Sequence, residues 1–501
     1  MNQDLTIAVI IDGEGVWNFW KKSFHKFTGS ENYGKLVYSI SKVNGTEKYG
    51  KFFSKIGISF FNKIPVENIL EIGKWSASKI NIHDYNYILF TGSSLEKIKA
   101  LSLESAKPVI FFAFINNQKI ISPELAFYKS KKYLCAALLI YYKNQFRVVE
   151  SGKYRWYRHK LKKTYQLLAE DASNWLKKVR LIEDFTKLEV IACNQSNLGI
   201  DLISKIQFRL RYVFYKIDHF IKLLFTREEW NTAIVNKPIS DFIKDPSLPI
   251  QQWLTKPHNG IKADPFLMQS KGKTIVYYES LSFNDTKGSI TKFENNIESN
   301  FLVLAHHLSY PYIVSHYDKT YLIPENSDSN KLVAYILSDD GASIVDQITL
   351  IEGMAVVDGS IIHYNDKWWL FCTLKNDQPD MKLHIFYAEQ FRGPYLPHKM
   401  NPVLTDISGA RPGGSMFIKE NKLYRPAQDS SYSYGDQIKI KQVVKITPTE
   451  FEERTINSIT PKILNQYRTG LHTLSGNENL SVIDAKRIVW RINKEIFGKR
   501  D

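Results

Sequence analysis

The sequence predicts a Rossmann-like parallel α/β domain at the N-terminus, followed by a five-bladed β-propeller. Three observations carry this: a phrase repeated five times after Asp264, buried-strand runs alternating with helical sequence before residue 200, and a basic amphipathic stretch between them.

Each repeat holds a special residue, a strand, a tight turn and a second strand. The copies read DPFLMQSKGKTIVYYE from Asp264, YPYIVSHYDKTYLIPE from Tyr310, DGSIIHYNDKWWLFCT from Asp358, RPGGSMFIKENKLYRPAQD from Arg411 and HTLSGNENLSVIDA from His472. Their starts lie 46 to 61 residues apart. A period of about 50 residues with two or more strands per copy marks a propeller, one blade per copy. WNTAIVNKPI (230–239) reads as a strand that completes the last blade and closes the ring, so that no sheet edge stays free.

Before residue 200, LTIAVIID (5–12), YNYILFTG (85–92) and KPVIFFAFI (107–115) are apolar runs separated by helical patterns. Such runs argue for a parallel sheet with helices on its faces. Residues 154–179 read as helix. From 205 to 227, apolar residues at 206, 210, 213, 217, 220, 221 and 224 share one helical face. Lys205, Arg209, Arg211, Lys216, Lys222 and Arg227 against Asp218 give this stretch a net charge of +5. Two readings stay open for it: a connector packed on both domains, or a helix on an anionic membrane face. The domains then fall at 1–200, 201–229 and 230–501.

A chain of 501 residues exceeds what one core usually holds, which agrees with this division. Cys135, Cys193 and Cys372 lie too far apart to suggest a disulfide framework or a zinc site. The longest apolar run, 133–142, is shorter than the roughly 20 residues that span a bilayer. The N-terminus lacks the basic cluster and apolar core of a secretory signal. The expected compartment is the cytoplasm, peripheral at the inner membrane face if the basic helix meets lipid. A net charge of +16 calls for an acidic partner. The sequence has no zinc-finger spacing, RNP-like strand or helix-turn-helix, which argues against nucleic acid. No metal or cofactor is implied, and the oligomeric state is not set.

Successive strands of a blade run antiparallel, so the start of the first and the end of the second meet at one rim. First-strand starts bring Asp264, Tyr310, Asp358, Arg411 and His472 there. Second-strand ends bring Glu279, Glu325, Arg425, Gln428 and Asp429, with Asp484 a further candidate, and His307 precedes its strand at the same edge. Carboxylates crowded in a confined mouth suit glycosidic-bond chemistry, one acting as acid and another as base or nucleophile. Arginine grips phosphate or carboxylate in bidentate fashion. Trp368 and Trp369 alternate faces, so at most one points toward a ligand.

Ten phrases carry a family resemblance: ADPF (263–266), HLSYP (307–311), PEN (324–326), VDG (357–359), WWLF (368–371), GPYLPH with NPV (393–398, 401–403), ARPGG (410–414), LYRPAQD (423–429), YG (434–435) and GLHTL (470–474). In this order they resemble the propeller domain at the N-terminus of plant glucosamine inositolphosphorylceramide transferases, whose bacterial relatives occur in surface-polysaccharide gene clusters. That propeller looks like the five-bladed folds of arabinanases and β-xylosidases, which place catalytic carboxylates at blade starts. The resemblance implies Asp264 and Asp358 as base and stabiliser, with Glu325 the candidate acid. The first 200 residues resemble a formyltransferase domain. Such enzymes use an Asn-x-His motif, whereas this chain reads FFAFINNQK, with Asn116 and Asn117 but no histidine at the right spacing.

The leading expectation is a carbohydrate-active transferase in surface-glycan biosynthesis, acting on a nucleotide sugar or glycan at the propeller mouth. Here Asp264, Asp358 and Glu325 are catalytic. Glu279, His307, Tyr310, Arg411, Arg425, Gln428, Asp429 and His472 bind substrate, with both arginines on donor phosphate or an acidic sugar. The alternatives are an N-formyltransferase using formyl-tetrahydrofolate on a nucleotide-linked amino sugar, and a non-catalytic glycan-binding protein.

Overall fold

The computed structural model describes residues 86–491, apart from 92–93, 122, 131, 180, 193–201, 271 and 286, together with 7–12, 15–17, 36–41 and 63–65. The chain divides into two compact units, Met1–Ile217 and Asp218–Asp501. The boundary falls inside the basic helix, which runs from Leu202 to Phe225.

In the first unit, strands Leu36–Ser41, Ile7–Asp12, Tyr87–Phe90 and Val109–Asn116 lie side by side in parallel. The expected sheet is parallel throughout, and here the structure differs. Tyr133–Tyr142 pairs antiparallel with Val109–Asn116, and Gln145–Arg155 pairs antiparallel with Tyr133–Tyr142. For the second of these pairs the cause is local: Lys143 and Asn144 both take positive φ (47° and 62°), which closes a two-residue hairpin and forbids a helical crossover. The helix expected over 154–179 accordingly starts only at Leu161. The sheet is mixed, and a clear Rossmann domain is not what the described residues form. Asn116 and Asn117 also sit in a tight turn. Asn117 and Gln118 have φ of 47° and 58°, and Lys119–Ile121 folds back on Val109–Asn116.

The second unit is a propeller-like succession of antiparallel sheets. Gly260–Ser270, Lys273–Ser282, Ser289–Glu294 and Ile297–Leu302 form the Asp264 sheet. Ser309–His316, Lys319–Glu325, Lys331–Leu337 and Ile344–Glu352 form the Tyr310 sheet. Phe417–Lys419, Lys422–Asp429, Gln437–Ile446 and Phe451–Ile459 form the Arg411 sheet.

The His472 sheet is closed by the chain's own earlier strand. Thr226–Val235 pairs along its whole length with Ser481–Trp490, and Ile250–Trp253 and Leu474–Gly476 flank the pair. The strand expected over 230–239 therefore does join the last repeat, but starts earlier and ends before Pro238.

Five equal blades were expected; the structure has four complete four-stranded sheets. The Asp358 repeat makes a three-stranded meander, Val356–Tyr364, Lys367–Leu374 and Lys382–Ala388. Only the short Leu396–Pro397 and Leu404–Asp406 pair along its outer strand. Pro394, Pro397 and Pro402 in this stretch have no amide N–H to donate, so the sequence cannot supply a long outer ladder.

Turn chemistry explains the hairpins. Asn365–Asp366, Glu420–Asn421 and Asn295–Asn296 each put two successive residues at positive φ, the requirement of the two-residue turn that matches strand twist. Inner-strand side chains then pack between neighbouring sheets. Phe266, Tyr312, Ile323, Ile361 and Leu370 share one core cluster, as do Trp369, Phe371, Leu423 and Val443. Each such large apolar side chain contributes about 1.5–3 kcal/mol on burial.

Candidate active site at the starts of the repeats

The first three repeats aim their leading residue by the same device. Asp264, Tyr310 and Asp358 have φ of 50°, 44° and 51°, in the left-handed region. At each one the register with the second strand slips, between Ala263 and Phe266, Ser309 and Tyr312, and Val357 and Ser360. A bulge bends the strand and turns a side chain out of its alternating order. Left-handed non-glycine residues are uncommon and collect at functional sites. Ala263 pairs with Glu279, Ser309 with Glu325 and Val357 with Thr373, so two of the three repeats place a glutamate beside the bulge.

These residues meet. Arg411 donates from Nε to Asp358 Oδ2 at 2.6 Å and from Nη2 to Oδ1 at 3.4 Å, while Nη1 reaches Asp380 Oδ1 at 3.1 Å. Gln428 Nε2 donates to Asp358 Oδ2 at 3.0 Å and to the Pro412 carbonyl at 2.9 Å. The Asp358 amide donates to Glu325 Oε2 at 3.3 Å, and Ser327 Oγ donates to Oε1 at 2.9 Å. The Tyr310 hydroxyl lies 2.9 Å from Ser360 Oγ and accepts from the Gly414 amide at 2.8 Å. Gly414 has φ of 134°, and a Cβ there would sit 1.7 Å from the Leu474 carbonyl oxygen, so only glycine lets the chain pass.

On the opposite flank, Asp484 ties the last repeat to the first. Its Oδ1 accepts from the His472 and Thr473 amides at 3.0 Å each, and its Oδ2 accepts from the Asp264 amide at 2.9 Å. Thr473 Oγ1 donates to Asp264 Oδ1 at 2.7 Å. His472 Nδ1 stands 2.6 Å from Asp484 Oδ2 and Nε2 3.6 Å from Asp264 Oδ1, close as ion pairs rather than aligned as hydrogen bonds. The imidazole stacks on Trp230 of the closing strand, ring centres 4.1 Å apart. Asp264, His472 and Asp484 are the group of described residues whose ligand atoms lie within 4.8 Å of one another. Their lone pairs are largely taken by amides and Thr473, a pattern of structural ties more than of a cation cage.

Burial sets the protonation. Glu325 is pushed up to about 8, first by desolvation and then by Asp358, against the pull of Arg411. Asp264 rises to about 6, mainly by desolvation, with His472 opposing and Asp358 and Asp484 adding. Glu279 is raised well above the glutamate range by burial and by the Asp264, Glu325, Asp484 and Asp358 carboxylates around it. For His472, burial lowers the pKa but the Asp484 and Asp264 carboxylates win and raise it. His307 is lowered by burial. Its Nδ1 accepts from the Gly288 amide at 2.8 Å, so the neutral ring carries its proton on Nε2, 3.4 Å from Glu279 Oε1. One buried cluster thus holds carboxyls kept protonated near neutrality beside a carboxyl paired with arginine, an arrangement that supports acid and base roles.

Several expectations need correction. Arg425 is no grip: Nε and Nη2 bind Glu453 at 2.6 and 2.8 Å, and the remaining bonds go to the Gly409 and Ala410 carbonyls. Asp429 is spent on Ser431, Gln437 and Lys439 within its own sheet. Arg411 does reach the carboxyl cluster, yet as the counter-ion of Asp358 and Asp380 rather than as an open anion clamp. Trp368 and Trp369 are both buried in packing between sheets, so neither is offered to a ligand.

Two residues were missed. Asp380 sits in the turn before Lys382–Ala388, where no strand pattern marks it. Tyr434 lies 5.4 Å under the Arg411 guanidinium and edge-on to His472. Burial raises its phenol well above the ordinary range, with Arg411 opposing. Its only signal was the phrase YG.

This is a propeller-like, mostly-β protein with a buried, carboxylate-rich site at one end of its repeats. A family model described as glucosamine inositolphosphorylceramide transferase 1, N-terminal, matches residues 231–483, half of the chain, and the chain belongs to that family. The glucosamine inositolphosphorylceramide transferase 1 of Oryza sativa subsp. japonica is 31% identical over 207 residues, covering 39% of this chain and 28% of that protein. The Arabidopsis thaliana protein of the same name is 26% identical over 314 residues, covering 58% of this chain and 38% of that one. The chain thus spans well under half the length of these relatives. Among solved structures, a thermostable family-43 glycoside hydrolase is similar at 14% identity and TM-score 0.32, over 38% of this chain and 75% of that one. An exo-beta-1,3-galactanase from Clostridium thermocellum is similar at 12% identity and TM-score 0.34, over 41% and 53%. Likenesses this distant carry no chemistry to the present chain.

Proposed function

We propose that this chain transfers a sugar from an activated donor to a glycan or glycolipid acceptor, with the buried carboxyl cluster of Asp264, Glu325 and Asp358 as its centre. The observation that carries this is the pairing, in one buried site, of a carboxyl held protonated to about pH 8 with a carboxylate fixed by arginine. Asp264 takes the proton of the acceptor hydroxyl as that oxygen bonds to the anomeric carbon. The bond to the leaving phosphate breaks with its electron pair on the phosphate oxygen, which Glu325 protonates. Asp358, locked by Arg411 and Gln428, stabilises positive charge developing on the sugar ring. The curated relatives bear the name of a transferase, which agrees with transfer rather than hydrolysis.

Calorimetric titration with a panel of nucleotide sugars and acidic glycans tests the placement of the site. One member should bind the wild type and lose at least about tenfold in affinity in Asp358→Asn, whose fold is checked by circular dichroism. Undiminished binding by a folded Asp358→Asn protein removes this carboxyl cluster from the reading. Formyl transfer has less support: the Asn116–Asn117 segment is a hairpin turn, and no histidine follows it at the Asn-x-His spacing.

A further inference from the structure

The helix Leu202–Phe225 carries its apolar face outward. Ile203, Leu210, Phe214 and Phe220 are 68%, 66%, 63% and 61% exposed, and Ile206 and Ile217 stand with them. At 3.6 residues per turn these positions fall within an arc of about 120°. The helix is anchored by its other side. Phe208 is buried with its ring 4.8 Å from Tyr128, and the Tyr215 hydroxyl accepts from Arg158 Nη1 at 2.8 Å while the guanidinium covers the ring. The apolar face of the helix is thus left in water beside its basic residues.

Charge names the occupant of that outward face. Exposed Arg209 and Lys216 border the apolar arc along one edge, and exposed Arg211 and Lys222 along the other. Long basic side chains can lay their stems along apolar surface and lift their charges to its rim. A second copy of the chain, docked face to face in either direction, would bring basic rim against basic rim with only Asp218 to offset it. An anionic lipid surface satisfies both halves: acyl chains take the phenylalanines and leucines, and headgroups take the rim. Among the described residues no helix is long and apolar enough to cross a membrane, so the fit is to a helix lying in the interface.

We propose that this helix seats the protein on the surface of an anionic bilayer. The site chemistry plays no part in this, so the proposal stands or falls separately from sugar transfer. Co-sedimentation of the full chain with vesicles of phosphatidylcholine alone or with phosphatidylglycerol tests it, with circular dichroism as the check on folding. Binding to the anionic vesicles is expected, with little to the neutral ones. Arg209→Glu with Lys216→Glu should weaken binding at least about 25-fold, since each basic residue near the surface is worth about fivefold. Phe214→Glu with Phe220→Glu should abolish it. Anionic binding that both folded variants retain, or no binding at all, overturns the proposal. So does a wild-type dimer by light scattering that Phe214→Glu converts to monomer, since the face then belongs to a second copy.

Discussion

Two arginines of the fourth repeat stand before prolines, Arg411-Pro412 and Arg425-Pro426, and both meet a buried carboxylate, yet their surroundings differ in kind. Arg425 and Glu453 are 1% and 2% exposed, bind each other twice within one sheet, and have Lys441 3.3 Å away on the same carboxylate. Every neighbour is satisfied by another neighbour. Arg411 is 14% exposed, reaches back to Asp358 and Asp380 in the preceding repeat, and lays its face on Tyr434. Next to it Glu325 is buried without a cation of its own. A charge pair closed on all sides is a structural tie. One that crosses between sheets and borders a protonated carboxyl can act on something that enters.

The comparison breaks most sharply at Glu325. Replacing it with glutamine should lower sugar-transfer turnover about 10²–10⁴-fold, the range for losing a general acid, with the melting temperature held or raised. Unchanged turnover at saturating donor would move the acid elsewhere. Arg425→Met should act in the opposite sense. Stranding Glu453 in the sheet costs about 3–5 kcal/mol, read as a lower urea midpoint, while turnover per folded molecule stays at the wild-type level. A stable Arg425→Met protein without activity would reverse the assignment of the two arginines.

The pH dependence of stability sharpens the same contrast. Glu325 has a folded pKa raised from 4.5 to about 8. The folded state therefore holds this proton more tightly than the unfolded chain does. Its contribution is fully present below about pH 4.5 and is lost as pH rises through 8. Asp264, raised to about 6, acts in the same direction over a lower window. Melting temperatures from pH 4.5 to 8.5 should fall less steeply in Glu325→Gln than in the wild type. Parallel curves would show that Glu325 is not proton-bearing in the folded protein. The smallest effect belongs to Tyr310→Phe, which strands the Gly414 amide and leaves Ser360 Oγ with the Asp358 carbonyl. It should cost about 1–3 kcal/mol by chemical denaturation, and a neutral change would mean that water replaces the phenol.

Much of this fold was legible because the repeats are written in local chemistry. Residue pairs such as Asn365–Asp366 announce hairpins, and a strand period survives on either side. The convergence of Asp264, Glu325, Asp358 and Arg411 followed from antiparallel geometry alone. The left-handed bulges were not legible, because Asp, Tyr and Asp share no propensity for positive φ that separates them from ordinary strand starts. Nor could Arg411 be told from Arg425. Both precede proline, and only the cross-strand position of Glu453 and the turn holding Asp380 distinguish a tie from a site. The Asp358 repeat read as a full blade because its first two strands match the others, while its outer edge is set by Pro394, Pro397 and Pro402, further along the chain.

The most direct test is turnover of radiolabelled nucleotide sugars, with glycan and lipid acceptors, by wild-type protein, Glu325→Gln and Arg425→Met at equal folded concentration. The account predicts product from the wild type and from Arg425→Met, and at least about a hundredfold less from Glu325→Gln. Equal product from Glu325→Gln and the wild type would contradict it.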